Sequence, residues 1–490
     1  MSLLGIDVGS SSIKAAAYSE DGVLYKDVRK DLTPQYPQPG WWEQDPNEVW
    51  ETTCLLVRRL AQEEFLRKDP PIAVAISASV RENFPADELG YPLANCIMAA
   101  DVRGAEYEVY PDGVTLPEPW SFSCGHMRER MDPFNRLQWW LENRPEIMKK
   151  ARFFPGWPEL LTLKMCGRAV TDGTTAARWM IYDLHTQSWD LNRLNEFDIS
   201  SEILPEVLPW GTVIGDVKQD VLEDWGIHHP IKLAVGASDL NCAGLEAGVS
   251  AIGDVCLVAG SFENLLIATD GFPTARMLLR GLSITPHPGD AGRCVWAICP
   301  TGTAVLNWAR NITNMSIDEL DHKLKEAGSS PSPVLAAPYL SGAFIYWEGG
   351  RKLRGALFGL TLATSQIDIV RGFMESISYD HVNTLSLLQK QGVKIETVKA
   401  MGGGSRSVWW TQLKCDMMGV PIEVISQPEP GTLGAALLAG VAIGTYNNIT
   451  EASKKFAGVT RKYEPNLERA KLHQEKLEKY RHSISALLTM

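Results

Sequence analysis

Two passages roughly half a chain apart share one plan. LLGIDVGSSSIKAAAYSEDG (residues 3–22) is an apolar run, a Gly9-Ser10 turn, a second apolar run and a closing Asp21-Gly22. CLVAGSFENLLIATDG (residues 256–271) repeats it, with Gly260-Ser261 at the turn and Asp270-Gly271 at the end. Either one alone is an ordinary β-hairpin. Two copies near the starts of the two halves predict a duplicated α/β domain, with each half presenting a Gly-rich turn to a shared cleft.

The length of 490 residues fits that plan, being too great for one core. We expect domains at 1–245 and 246–490. Apolar residues at 45% and charged residues at 22% are ordinary for a globular chain. A net charge of −12, without a Lys/Arg run, argues against a nucleic-acid surface. Phosphates can still be held by backbone N–H groups, a local cation and Mg²⁺. Nine cysteines, scattered from Cys54 to Cys415 with no C-x-x-C, read as reduced thiols. The N-terminus enters a strand at once, and the Gly/Ala-rich stretch 431–444 is too short to span a bilayer. The expectation is a soluble, cytoplasmic protein with no membrane or nucleic-acid partner. A homodimer is entertained, though nothing in the residues selects it.

Asp132-Pro133 is expected to cap and start a helix running through LQWWLENRPEIM, with proline at its first position. Ser365-Gln366-Ile367-Asp368 is a capping box before a long amphipathic helix that stops near Gly392. A strand at 397–401, the triple glycine 402–404, a helix, a strand at 421–425 and an Ala-rich helix follow. The tail after Pro465 reads as a charged, exposed helix. Strands alternating with helices predict mixed sheets flanked by helices.

Asp7-Val8-Gly9-Ser10-Ser11-Ser12-Ile13-Lys14 places an acid at the end of a buried strand, then glycine, three hydroxyls and a cation. Phosphoryl transfer needs such parts: backbone donors, an acid for hydrated Mg²⁺ and a cation near the moving group. Asp7 is therefore the candidate Mg²⁺ residue, acting through water. No P-loop motif and no G-x-G-x-x-G after the first strand is present.

Several passages in order, MDPFNRLQW (131–139), VTDGTTAARWMIYD (170–183), SDLN (238–241), PYLSG (338–342), GALFGL (355–360) and MGGGSRSVWW (401–410), make the chain resemble the FGGY carbohydrate kinases of the actin-like ATPase fold. The resemblance covers essentially the whole length, with Arg136 where Lys is usual. It implies two actin-like, ribonuclease H-like domains around a cleft, ATP and Mg²⁺ as cofactors, and phosphorylation of a hydroxyl on a small sugar or polyol. By the same resemblance Asp239 is the catalytic base. An acid after an apolar strand on a small-residue turn suits that role; the local sequence equally fits a helix N-cap. ATP contacts carry over to Gly9, Ser10, Ser11 and Lys14, and to Gly260, Ser261, Gly302 and Gly403. The family's G-T-S-G turn reads Gly260-Ser261-Phe262-Glu263 here, which adds bulk and a negative charge and raises the question of nucleotide preference. Ser407 stands where glycerol kinases have Asn near the adenosine.

Arg81-Glu82 matches the pair with which glycerol kinases hold polyol hydroxyls; as a bare dipeptide it could equally be a surface ion pair. The Met-His-Gly of xylulose kinases is absent from this turn. Ala99 and Asn264 replace two apolar walls of the glycerol site, and Met131 replaces a Tyr. A wider, more polar pocket implies a ketose, alditol or sugar acid of four to six carbons, with Asn264 among its contacts. Asp101 is a further candidate, or else a structural partner of Arg103. Two other readings stay open on the residues: an actin-like ATPase driving a partner, and a catalytically weak sugar sensor.

Overall fold

The computed structural model describes residues 1–108, 117–299, 301–343, 353–425 and 431–489. Its centre is two sheets. The first contains β1 (Ser2–Val8), β2 (Ser12–Ser19), β3 (Leu24–Asp31), β4 (Pro71–Ala78), β5 (Val213–Asp216) and β6 (Lys232–Ala234), in the order β5-β6-β4-β1-β2-β3. The second contains β7 (Asp254–Ala259), β8 (Glu263–Thr269), β9 (Ser283–Pro286), β10 (Arg293–Cys299), β11 (Thr397–Met401), β12 (Ile422–Ile425) and β13 (Val459–Tyr463), in the order β13-β12-β11-β7-β8-β10-β9.

The two orders superimpose once β9 is set aside. Each sheet has an antiparallel hairpin, β1–β2 or β7–β8, whose first strand pairs in parallel with β4 or β11. Each continues through a second parallel strand and closes on an antiparallel edge. The duplication read from the hairpins is thus a duplication of topology.

The helices that matter here are α1 (Pro46–Ala61), α2 (Pro133–Asn143), α3 (Trp157–Cys166), α4 (Asp239–Glu246), α5 (Thr303–Ile312), α6 (Gln366–Lys390), α7 (Val408–Met418), α8 (Thr432–Ala442) and α9 (Leu467–Leu487). Alternation along the strands sorts side chains between the two sheet faces. Leu4, Ile6 and Val8 pack with α1 and α3, while Leu3, Ala16 and Ala75 pack with α4 and α8. In the second sheet Leu257, Leu265 and Val398 pack with α6 and α7, whereas Cys256, Leu266 and Trp296 meet Val80 and α4. Helix α4 therefore lies between the sheets, with Cys242 and Leu245 facing one and Ala243 and Ala247 beyond its end facing the other.

Helix α8, from the second half of the chain, lies on the first sheet. Its small residues permit the approach: a Cβ on Gly5 would stand 1.8 Å from the Thr432 carbonyl oxygen, and one on Gly434 would stand 2.1 Å from that of Cys242.

The capping box at Ser365 is formed, and α6 runs to Lys390 before Gly392 at φ +85°. Helix α2 begins at Pro133 as expected but stops at Asn143, and a separate short helix takes Pro145–Met148. Proline bars the preceding residue from helical backbone, and Arg144 accordingly sits at φ −140°, ψ 50°. The charged tail is less exposed than its composition predicts. Helix α9 buries Leu477, Tyr480 and Ile484, and Lys476 donates to Glu375 at 2.6 Å and to the carbonyls of Ser332 and Val334. Among the described residues no helix is long and apolar enough to cross a membrane.

Candidate active site between the two sheets

Three parallel strand ends meet at one edge of the first sheet. β1 ends at Val8 and β4 at Ala78, and a two-residue strand, Ala237–Ser238, pairs in parallel with Ser77 and Ala78. Carboxyl ends of parallel strands are where an α/β sheet opens a crevice. Asp7, Arg81 and Asp239 are all delivered there by the strands that precede them.

Asp7 is nearly buried and pairs in register with Lys14 across the hairpin. Its Oδ2 lies 3.6 Å from Lys14 Nζ, and its Oδ1 accepts a 2.7 Å hydrogen bond from Ser77. Asp239 is the first residue of α4. The capping task that the sequence also allowed it is performed by Ser238, whose Oγ accepts from the Asn241 N–H at 3.4 Å. Among the described residues Asp239 accepts a single, local bond, from the Leu240 N–H at 2.7 Å. Burial, with Asp7 and Glu82 nearby, pushes its carboxyl up to about 7 despite Lys14. At the far end of α4, buried Glu246 accepts from the Gly431 N–H at 2.9 Å. Burial first, then Asp7, pushes its carboxyl up to about 8.

Among the described residues no group of three or more His, Cys, Asp or Glu side chains could hold a metal ion. The donor set is one oriented carboxylate beside a cation. That fits Mg²⁺, which keeps several waters and is bound by one or two carboxylates plus phosphate oxygens.

The residues expected on the substrate side form a buried charged cluster. Arg81 Nη1 donates to Asp132 Oδ1 at 3.0 Å, and Nη2 is 2.7 Å from Glu129 Oε2. These two carboxylates hold its guanidinium and raise its pKa against burial. Glu82 accepts from the Arg81 backbone N–H at 2.9 Å, so Arg81 and Glu82 are not an exposed ion pair. Arg136, also fully buried, donates to the carbonyls of Arg81, Ile97 (2.8 Å) and Met98 (2.7 Å), which ties helix α2 to the turn. Asp132 precedes α2 without capping it, because its carboxylate serves Arg81 and the Glu129 N–H instead. Burial pushes that carboxyl up to about 7. Asn264 lies on the face of β8 that confronts α4, and its buried Oδ1 has no partner among the described residues. Asp101 is placed otherwise: it is wholly buried and accepts from Arg103 Nε and Nη2 and from the Trp42 N–H.

At the second hairpin the carbonyls of Gly260 and Ser261 accept from the Thr303 and Ala304 N–H groups, so the turn is docked on the start of α5. Gly302 is needed for that approach, since a Cβ there would lie 2.8 Å from the Ser261 oxygen. Gly402, at φ +91°, turns the chain against Ala259, and Gly403 faces open space. Ser407 caps α7, its Oγ accepting from the Trp410 N–H at 3.4 Å. Phe262 is 46% exposed at the tip. Glu263 points into the core. Its oxygens lie 2.5 Å from Lys414 Nζ and 2.5 Å from His381 Nε2. Burial alone would raise its pKa, but these two groups hold it below the usual carboxylate range. The extra negative charge that the sequence puts in this turn does not face the cleft.

Sequence reasoning passed over Glu129, Glu246, Lys414 and Arg178. Arg178 stands inside the quoted VTDGTTAARWMIYD, but an arginine in a run of small residues carries no sign of where it points.

Models of the N-terminal and C-terminal domains of the FGGY family of carbohydrate kinases match residues 2–245 and 294–443. The chain is 29% identical over 476 residues to a glycerol kinase of Petrotoga mobilis, covering 93% of this chain and 92% of the relative. Among solved structures it is similar to a xylulose kinase from Brucella ovis, at TM-score 0.92 and 21% identity, covering 99% of each chain. It is also similar to Plasmodium falciparum glycerol kinase with ADP, at TM-score 0.88 and 20% identity, covering 99% of this chain and 98% of that one.

Proposed function

This chain belongs to the FGGY family of carbohydrate kinases, and on that premise we propose that Asp239 is the base that activates a sugar or polyol hydroxyl for attack on ATP. The enzyme is an ATP-dependent phosphotransferase with an alcohol acceptor. The observation that carries the Asp239 reading is its carboxyl, poised at about 7 beside the Asp7–Lys14 pair and Glu82 at the strand ends. A base works best when its pKa lies near the operating pH.

The substrate hydroxyl donates its proton to Asp239 as its oxygen attacks the γ-phosphorus, and ADP leaves. Lys14, Ser10 and Ser11 face the transferring phosphoryl from the first hairpin and Ser261 faces it from the second; Gly9 and Gly260 close the two turns, their N–H groups donating to the Ser12 and Phe262 carbonyls. Gly403 and Ser407 lie on the adenosine side, with Gly302 setting the turn. Asp7 would hold Mg²⁺ through water, and the ion when bound offsets the charge of the phosphate oxygens. Arg81 donates to substrate hydroxyls and Glu82 accepts from them, while Asn264 completes the wall opposite. The space left by Ala99 and Asn264 suits four to six carbons. An ATP-dependent reaction and cysteines that form no disulfide support a cytoplasmic setting.

The test is ADP release with a panel of sugars and polyols, for the wild type and Asp239→Asn. The variant should lose roughly a hundred- to ten-thousand-fold in kcat, with ATP affinity little changed. Near-normal turnover would refute the assignment.

A further inference from the structure

Arg178 lies in the buried turn Ala177–Trp179, and none of its surface reaches solvent. Its Nε, Nη1 and Nη2 have no hydrogen-bond partner among the described residues. Glu129 Oε2 and Asp132 Oδ1 approach Nη2 at 3.7 and 3.9 Å, outside hydrogen-bond reach. A buried polar group is nearly always paired, so a guanidinium left open on all three nitrogens calls for a missing acceptor.

Its position says whose acceptor that is. The same Glu129 and Asp132 hold Arg81 at 2.7 and 3.0 Å. On the other side Arg178 stands 5.4 Å from the centre of the Trp296 ring, and the Trp296 indole N–H donates to Asn241 on α4, two residues after Asp239. Arg178 thus bridges the Arg81 turn and the helix that carries the base.

We propose that Arg178 and Glu129 form a second donor–acceptor clamp in the substrate pocket, beside Arg81 and Glu82, for the hydroxyls of a neutral polyhydroxylated chain. The inference rests on the kinase reading and narrows its substrate class. A guanidinium donates and a carboxylate accepts, so each clamp suits one vicinal diol. Two diols and the reacting hydroxyl require about five oxygens, which points to a five- or six-carbon alditol or ketose. Neutrality follows from the charges present. Glu82, Glu129 and Asp132 already stand beside the two guanidiniums, and Asp132 keeps its proton to about 7 even there. A sugar acid would bring a further anion beside these carboxylates, and like charges in a buried site repel.

The experiment is a kcat/KM series over glycerol, a tetritol, a pentulose, a hexulose, a hexitol and an aldonate of equal length, for the wild type, Arg178→Met and Glu129→Gln. The wild type should favour the neutral five- and six-carbon substrates. Each variant should lose about tenfold or more on these, chiefly through KM, and distinctly less on glycerol, so that the chain-length preference collapses. Thermal melts check the fold; should Arg178→Met fail to fold, the near-isosteric Glu129→Gln decides. Equal losses on glycerol and hexulose, unchanged preference in both variants, or a wild type that favours the aldonate would overturn the clamp while leaving the kinase reading intact. A wild type that phosphorylates nothing in the panel would overturn both.

Discussion

The two hairpins differ by one residue, and that residue reassigns every side chain after the turn. In the first, Val8 pairs with Ile13 and four residues form the loop; in the second, Ala259 pairs with Glu263 across three. Matched by register, Glu263 takes the place of Ile13 and Asn264 that of Lys14. A one-residue slip moves a strand's side chains to the opposite face. Hence the first hairpin points an acid and a lysine toward α4, while the second points an asparagine there and buries its acid beneath α6 and α7. The electrostatics divide in the same way. Asp239 and Glu246, near the first hairpin, are pushed up by burial and by neighbouring acids. Glu263 is drawn down by Lys414 and His381. One half holds acids that burial keeps protonated toward neutral pH, and the other holds an acid kept ionised by Lys414 and His381.

The hardest test of this division is to remove the cation. Lys414→Met strands Glu263 in the core, and breaking a buried pair typically costs about 3–5 kcal/mol. Chemical denaturation should show that loss. Adding Glu263→Ile, the residue that Ile13 supplies at the equivalent place in the first hairpin, should restore most of it. A single variant as stable as the wild type would mean that the pair does not hold the hairpin.

Asp7→Asn asks the opposite of the first hairpin. If Asp7 acts at the transferring group, loss of its charge should lower kcat by about a hundredfold, with less change in denaturation midpoint than Lys414→Met produces. An Asp7→Asn variant that keeps near-normal turnover but loses as much stability as Lys414→Met would reverse the roles given to the two hairpins.

The division also predicts a pH dependence. Asp239 and Glu246 bind their protons more tightly in the folded chain, with folded values near 7 and 8. The unfolded chain has released those protons above about pH 5. Their stabilisation is therefore complete below the ordinary carboxylate range and is lost as pH rises through 7 to 8. Activity runs the other way if Asp239 is the base, because a base works only when ionised: kcat/KM should then fall on the acid side of about pH 7. Melting temperature of the free protein from pH 6 to 8 and the pH–rate profile are the measurements. Parallel slopes would contradict the assignment. Glu263 opposes this trend only at acid pH, because its folded value lies below the ordinary one.

The smallest effect belongs to Phe262→Ala. An exposed side chain at the loop tip should change stability by less than about 0.5 kcal/mol, and a change in KM for ATP measures its contact with nucleotide. A large loss of stability would mean the tip is packed rather than open.

Much of this was legible because local chemistry dictates it. The Gly-Ser turns, the Ser365 box, the glycines at 402–404 and the acid at the end of β1 act through neighbours in the chain. Asp239 came from resemblance, and its freedom from capping became clear only when Ser238 was seen to cap α4. Glu129 and Arg178 carry no such mark, because each meets partners about fifty residues away in sequence. Asp101 was ambiguous because its neighbour Arg103 could pair with it or join it in a pocket; its acceptors proved to be engaged by Arg103 and by the distant Trp42.

The sequence by itself determined the duplicated topology, the strand ends that carry the acids, and the kinase family. Its hydrophobic periods, turn residues and ordered motifs are properties of the chain read in order. The tertiary structure decided which way the acids face. Register turned Glu263 inward to Lys414 and His381. Helix α8 crossed to the first sheet because Gly5 and Gly434 let it approach, bringing the Gly431 N–H to Glu246. Burial then set the proton affinities. Each depends on groups distant in sequence coming within a few ångströms, where low dielectric makes charge and desolvation count.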